Sequence, residues 1–332
     1  MGEVRDPGPR RDIGAVVIGR NEGARLLACL DSLRGAAACV VYVDSGSSDG
    51  SLAAAVGRGA IVVQLDPTQP FTAARARNAG LAVLAARDPA PVYVQFVDGD
   101  CELRGGWLAT ASSFLDACPK AAVAFGRRRE RHPEASVYNR LCDREWDVPL
   151  GLAKACGGDA LMRLAAVRAA RGFRDSLIAG EEPDLCLRLR RAGWEIWRLD
   201  AEMTWHDAAI LRFGQWWRRA RRAGHAFAEG AALHGATPER HWVKETRRAL
   251  IWGLALPSAA LAAAAATPAG WLILLAYPLQ ILRLARRNGL ARRSAWVDAF
   301  FVTLGKVPEA IGAAEYGLLR LLNRRRGLIE YK

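Results

Sequence analysis

The chain has 332 residues, enough for two domains or for one domain with a large extension, and enough to bury a core without disulfide staples. Hydrophobic residues make up 51% and charged residues 24%, which excludes a disordered or fibrous protein. The net charge of +13 is unevenly spread: residues 1–206 carry 27 Lys and Arg against 26 Asp and Glu, and residues 207–332 carry 20 against 8. A basic half beside an uncharged run points to anionic membrane lipids. Nucleic acid is disfavoured as a partner, because the basic charge brackets a hydrophobic stretch.

The first twelve residues are charged and rich in Pro and Gly, with no apolar core of a signal peptide, so the N-terminal half is expected in the cytoplasm. Ile13–Ile18 reads as a buried strand that stops at Gly-Arg-Asn-Glu. Leu26, Leu27, Leu30 and Leu33 give 24–33 a helical spacing. Strands follow at 40–43, 60–65 and 92–97, with helices at 51–58 and 73–86 between them. Strands alternating with helices predict parallel βαβ units in an open sheet, with ligands bound at the carboxyl ends of the strands. The segment 127–147 is charged and reads as an irregular surface excursion; 157–170 returns to a strand-to-helix pattern. Glu181-Glu-Pro-Asp184 opens a helix in which Asp184 and Arg188 have i,i+4 spacing, Gly193 closes it, and 194–199 reads as a short strand leading to His206.

After His206 the composition changes. Segment 213–233 mixes Trp216, Trp217 and Phe227 with arginines, the pattern of an amphipathic helix on a membrane surface. From Ala249 to Leu282, 34 residues carry no charge, with a break at Thr267-Pro-Ala-Gly270. Arg247 and Arg248 precede this run and Arg283, Arg286 and Arg287 follow it, so a hairpin with both ends on the cytoplasmic side is expected. The expected division is a tail at 1–11, an α/β domain at 12–210, basic interfacial helices at 211–248, a spanning or re-entrant hairpin at 249–284, and basic interfacial helices at 285–332. The seven cysteines include no C-x-x-C pair and read as free, mostly buried thiols of a reducing compartment.

Two clusters carry chemistry. Asp98 and Asp100 sit two apart at a strand end, so both carboxylates can face one site, and paired hard oxygens suit Mg²⁺ or Mn²⁺ carrying a phosphorylated substrate. A solvated turn is the alternative for this pair. Asp44 and Asp49 flank a Ser/Gly loop that reads either as a capped polar turn or as a nucleoside pocket.

Ile18-Gly-Arg-Asn-Glu-Gly23, Val43-Asp-Ser-Gly-Ser-Ser-Asp-Gly50, Ala76-Arg-Asn-Ala-Gly80, Val97-Asp-Gly-Asp100 and Gly180-Glu-Glu-Pro-Asp-Leu-Cys-Leu-Arg-Leu189 follow one another in the order of the motifs of family 2 glycosyltransferases. The resemblance covers about residues 12–230 and implies the GT-A fold, a Rossmann-like α/β sheet, here with a C-terminal helical, membrane-associated extension. It implies an enzyme that moves a sugar from a nucleotide diphosphate sugar to a hydroxyl, glycan or lipid-linked, with inversion and a divalent cation. By resemblance, Asn21 and Glu22 lie near the nucleotide, Asp44 reads base or ribose, and Arg77 lies near base or diphosphate. Asp98 and Asp100 form the Asp-x-Asp motif, with Asp100 the direct metal ligand and His206 a further ligand. Glu182 stands where the family usually has Asp as catalytic base, one methylene longer, with Asp184 as the fallback. The competing classes are a sugar-nucleotide nucleotidyltransferase, whose Gly-rich phosphate loop is missing after the first strand, and a membrane scaffold that binds a nucleotide sugar without turnover. Gln215-Trp-Trp-Arg-Arg219 is loosely similar to a signature of processive polysaccharide synthases, with the Trp out of position.

Overall fold

The structure, a computed structural model, describes residues 10–324. Residues 1–9 of the expected tail and 325–332 of the expected C-terminal helices lie outside the described residues. β1 (Arg10–Gly19), α1 (Ala24–Leu33), β2 (Ala37–Asp44), α2 (Ser51–Gly57), β3 (Ile61–Gln64), α3 (Ala73–Ala85) and β4 (Tyr93–Asp98) alternate as the hydrophobic pattern predicts. β1 pairs with both β2 and β4 in parallel, and Ile13–Ile18 is buried throughout, as a strand covered on both faces must be. Thr72 caps α3, its Oγ1 accepting the Arg75 N–H at 3.1 Å. Gly80 lets α3 lie directly on the sheet; a Cβ there would enter the space of Val16.

The chain continues through β5 (Cys101–Leu103), α4 (Trp107–Ala117), β6 (Ala121–Glu130), α5 (Val137–Glu145), β7 (Gly151–Leu152), β8 (Ala160–Arg163), α6 (Leu164–Ala169), α7 (Glu181–Arg191) and β9 (Glu195–His206). The sheet order is β3-β2-β1-β4-β8-β6-β9-β5, with β7 added against β9. β8 runs antiparallel to β4 and β6, so the sheet is mixed but parallel in its first half.

Two expectations are corrected here. Segment 127–147 is not irregular: β6 runs through Arg127–Glu130 and α5 follows. Charge in a buried strand is tolerated because each guanidinium finds a carboxylate: Arg127 pairs with Asp143 at 3.1 Å, and Arg128 with Asp159 at 3.1 Å. The strand expected at 194–199 extends unbroken to His206, because β9 pairs with β6 up to Glu130 opposite His206. All seven cysteines are free; five are buried, and Cys39 and Cys118 are half-buried.

The described chain divides into two compact units, one of residues up to 177 with 181–209, the other of 178–180 with the residues from 210 on. The second unit is helical: α8 (Phe213–His234), α9 (Val243–Leu250), a π-helical turn (Ile251–Ala255), α10 (Leu256–Ala266), a 3₁₀ segment (Pro268–Leu275), α11 (Ala276–Asn288), α12 (Arg293–Leu304) and α13 (Lys306–Leu321). One face of α8 is covered by protein. Gly224 and Gly312 let α8 and α13 approach so closely that a Cβ on either would strike the other helix's backbone. Thr267 is extended at φ −156°, which ends α10 within the uncharged run. Two helical stretches, Val243–Ala266 and Pro268–Asn288, of 24 and 21 residues, are long and apolar enough to cross a membrane by length and composition, and little of either is buried.

Candidate active site

Strand register brings the polar loops together. Gly19 lies opposite Asp44 and Ile18 opposite Asp98, so the loops after β1, β2 and β4 leave the sheet at one level. Asn21, in the left-handed region at φ 55°, ties the first two: its N–H donates to Ser47 Oγ at 2.9 Å and its Oδ1 accepts the Ser48 N–H at 2.7 Å. Asp49 Oδ2 accepts the Gly23 N–H at 3.0 Å. The Ser51 hydroxyl, 2.5 Å from Asp49 Oδ1, holds this carboxyl below its usual range. Asp44 is buried and shapes the loop from within, accepting from Tyr42 at 2.9 Å and from the N–H groups of Gly46 and Ser47 at 2.9 and 2.8 Å. Glu22 pairs with Arg25 at 2.6 Å.

Arg77 is the electrostatic centre of the first half. It projects from α3, is buried, and stacks on the Phe173 ring at 5.5 Å. Its guanidinium donates to Asp98 Oδ1 at 2.7 Å and to Glu181 Oε1 at 2.5 Å. Burial pulls its pKa down, but Asp98 and Glu181 outweigh this, so its charge is held more firmly than usual. The Asp98 N–H donates to Asp159 Oδ1 at 3.1 Å.

Asp100 and His206 meet on a neighbouring edge. β5 pairs with the end of β9, and His206 Nε2 lies 3.4 Å from Asp100 Oδ2. Both side chains are buried. On the far side of the ring, Nδ1 lies 3.7 Å from Glu130 Oε2 and makes no hydrogen bond of its own. Trp146 packs edge-on against the imidazole at 4.6 Å. Glu130 is itself fixed by the N–H groups of His132 and Ala208 at 3.1 and 3.0 Å. Asp100, Cys101 and His206 offer ligand atoms within 4.8 Å of one another. A hard carboxylate oxygen beside an imidazole nitrogen, with a second carboxylate behind the ring, fits a divalent cation. Burial and the charge of Asp159 push the Cys101 thiol well up.

The helix-start carboxylates of α7 go different ways. Glu182 is buried; its Oε1 accepts the Cys156 N–H at 2.6 Å and the Cys186 thiol at 2.9 Å. Asp184 is bound on both oxygens by arginines, Arg188 at 2.9 Å and Arg174 at 3.4 Å. Arg188 also donates to the carbonyls of Ala170 and Gly172, so Asp184 anchors the loop before α7.

Several participants are absent from the sequence-based candidates. Glu181, which in the sequence only opens its helix, shares Arg77 with Asp98. Asp159 is fully buried and joins Asp98, Arg128 and Thr204. Its signal was available: Gly157 and Gly158, both at positive φ, precede it at the start of a strand. Glu130 and Trp146 lay inside the stretch read as irregular.

Residues 15–153 match the family described as Glycosyl transferase family 2. Over 214 residues the chain is 28% identical to the pre-mycofactocin glycosyltransferase of Mycobacterium tuberculosis H37Rv, an alignment covering 59% of this chain and 43% of that one. The chain thus spans less than half the length of the curated relatives it matches. Among solved structures, the fold resembles that of a mannosyltransferase from Pyrobaculum calidifontis in complex with GDP-Man and Mn²⁺, with a TM-score of 0.63 and 22% identity over 93% of this chain and 88% of that one. It also resembles residues 1–349 of Staphylococcus aureus TarS, with a TM-score of 0.51 and 14% identity over 94% and 92%. The mostly parallel α/β sheet is that of the GT-A fold.

Proposed function

From the match of residues 15–153 to glycosyl transferase family 2, we propose that this chain belongs to that family and transfers a sugar, with inversion, from a nucleoside diphosphate sugar to a hydroxyl acceptor at the cytoplasmic face of a membrane. The observation that carries this reading is the meeting of Asp100 and His206 at 3.4 Å, beside the Arg77–Asp98 pair at 2.7 Å. Asp100 and His206 would hold a divalent cation, Mn²⁺ or Mg²⁺, which when bound neutralises the charge growing on a leaving diphosphate. Arg77 holds Asp98 and Glu181 in fixed positions beside that site. Asn21, Asp44 and Asp49 brace the loops that would surround the nucleotide.

Glu182 is the proposed base. Its Oε1 is held by the Cys156 N–H and the Cys186 thiol, which leaves Oε2 as the oxygen to take the acceptor's proton. These two contacts fix a side chain one methylene longer than the family's usual Asp. Asp184, bound by two arginines, serves the fold.

The helical stretches Val243–Ala266 and Pro268–Asn288 are proposed as a membrane hairpin. The first, at 24 residues, is about 36 Å long as an α-helix, against a hydrocarbon core of about 30 Å. Ile251, Leu254, Leu261, Leu272 and Leu279 lie exposed along them. A lipid-linked acceptor is consistent with such an anchor.

The test is a panel of nucleotide sugars presented to the purified protein with Mn²⁺, scored by thermal shift and by release of nucleoside diphosphate. Stabilisation by one donor, with metal-dependent release, is expected. Stabilisation without release under any acceptor would favour the non-catalytic scaffold.

A further inference from the structure

We propose that α9, α11 and α12 form a pocket for the phosphate headgroup of an anionic membrane lipid. This rests on the reading that 243–288 enters the bilayer. A cavity of about 250 Å³ in the helical unit is lined by Arg248, Arg283, Arg287 and Lys306, with Glu245 and Trp252 at its wall. That volume is below the about 300–1,000 Å³ of sites that enclose drug-sized ligands, so it suits a headgroup and is small for a nucleotide sugar.

Charge is the main argument. Lys306 is matched by Glu309 at 2.5 Å, but Arg248, Arg283 and Arg287 make no ion pair among the described residues. Arg283 and Arg287 are one helical turn apart on α11, so they share a face, and Arg248 meets them from α9. Three guanidinium groups line the cavity against one carboxylate, Glu245, which leaves an excess of positive charge for an anion to offset. The planar fork of arginine matches phosphate oxygens in pairs.

Position identifies the source of the phosphate. Arg248 stands just before the apolar part of the first stretch, and Arg283 and Arg287 stand at the end of the second, so the pocket lies where both helices would leave the hydrocarbon. The two helices are tied at this level by the Tyr277 hydroxyl, which donates to the Trp252 carbonyl at 2.5 Å. Trp252 at the wall suits the headgroup zone, where tryptophan is enriched. Basic pockets between membrane helices on the cytoplasmic side bind lipid phosphates.

The test is flotation of the full-length protein with three vesicle types: phosphatidylcholine alone, phosphatidylcholine with phosphatidic acid, and phosphatidylcholine with oleate as an anion lacking phosphate. The wild type should float with all three and favour phosphatidic acid. R248Q/R287Q should lose roughly fivefold of that preference per arginine and still float on phosphatidylcholine. R247Q/R286Q removes the same charge from the same two helices outside the pocket, and should keep most of the preference. Equal losses in the two double variants, or equal binding to oleate and phosphatidic acid, would overturn the pocket in favour of diffuse surface charge. Inorganic phosphate at millimolar concentration should not abolish the preference; if it does, the site takes free phosphate. A wild type that does not float on phosphatidylcholine overturns the membrane reading itself, and with it this proposal.

Discussion

The backbone N–H of Cys156 donates to Glu182 Oε1 at 2.6 Å, fixing half of a carboxylate at the start of α7. A fixed orientation suits a base, because proton transfer needs the free oxygen held within hydrogen-bond reach of the attacking hydroxyl.

The first prediction follows from this. Glu182→Gln keeps shape and hydrogen bonding but cannot accept a proton, and should lower turnover by about 10²–10⁴. Donor affinity should barely change. Glu182→Asp should retain part of the activity, limited by the loss of reach from the Cys156 and Cys186 contacts. Steady-state turnover beside donor affinity is the measurement. Normal turnover in Glu182→Gln would remove Glu182 from the chemistry.

Asp184 yields a stability prediction. Its side chain is 4% exposed and faces Arg188, whose own is 21% exposed. Sequence spacing alone predicts a surface-type i,i+4 pair worth a few tenths of a kcal/mol. Burial raises the expected cost of Asp184→Asn to about 3 kcal/mol, the lower end for breaking a buried pair, since Arg188 keeps its carbonyl partners. Urea unfolding checks it. A variant of unchanged stability but no activity would move base chemistry to Asp184.

The membrane hairpin predicts topology. A reporter fused after Lys332 should be cytoplasmic, because arginines flank the uncharged run on both sides. A reporter found outside the cytoplasm would contradict a hairpin.

Much of this was legible in the sequence. The first half of the sheet was readable because its strands are buried on both faces and its helices are amphipathic, so both periods stand out. Asp98 and Asp100 could be proposed because motif and strand end coincide, whereas Arg77, on α3, was named by resemblance. The Arg127–Glu130 strand was hidden: arginines read as solvent-exposed until their carboxylate partners, distant in sequence, are known. Asp159, Glu130 and Glu181 were missed for the same reason, since each matters through a partner at long range. Arg77, Glu182 and His206 were named across that gap by resemblance.

The most direct test of the account is donor titration into wild type and Asp100→Asn, with and without Mn²⁺, followed by calorimetry and nucleoside diphosphate release. The account predicts Mn²⁺-dependent donor binding in the wild type, its loss in Asp100→Asn, and a smaller loss in His206→Ala. Asp100→Asn that binds donor and Mn²⁺ like the wild type and releases nucleoside diphosphate at the same rate would contradict it, and Asp98-Gly-Asp100 would then be a turn.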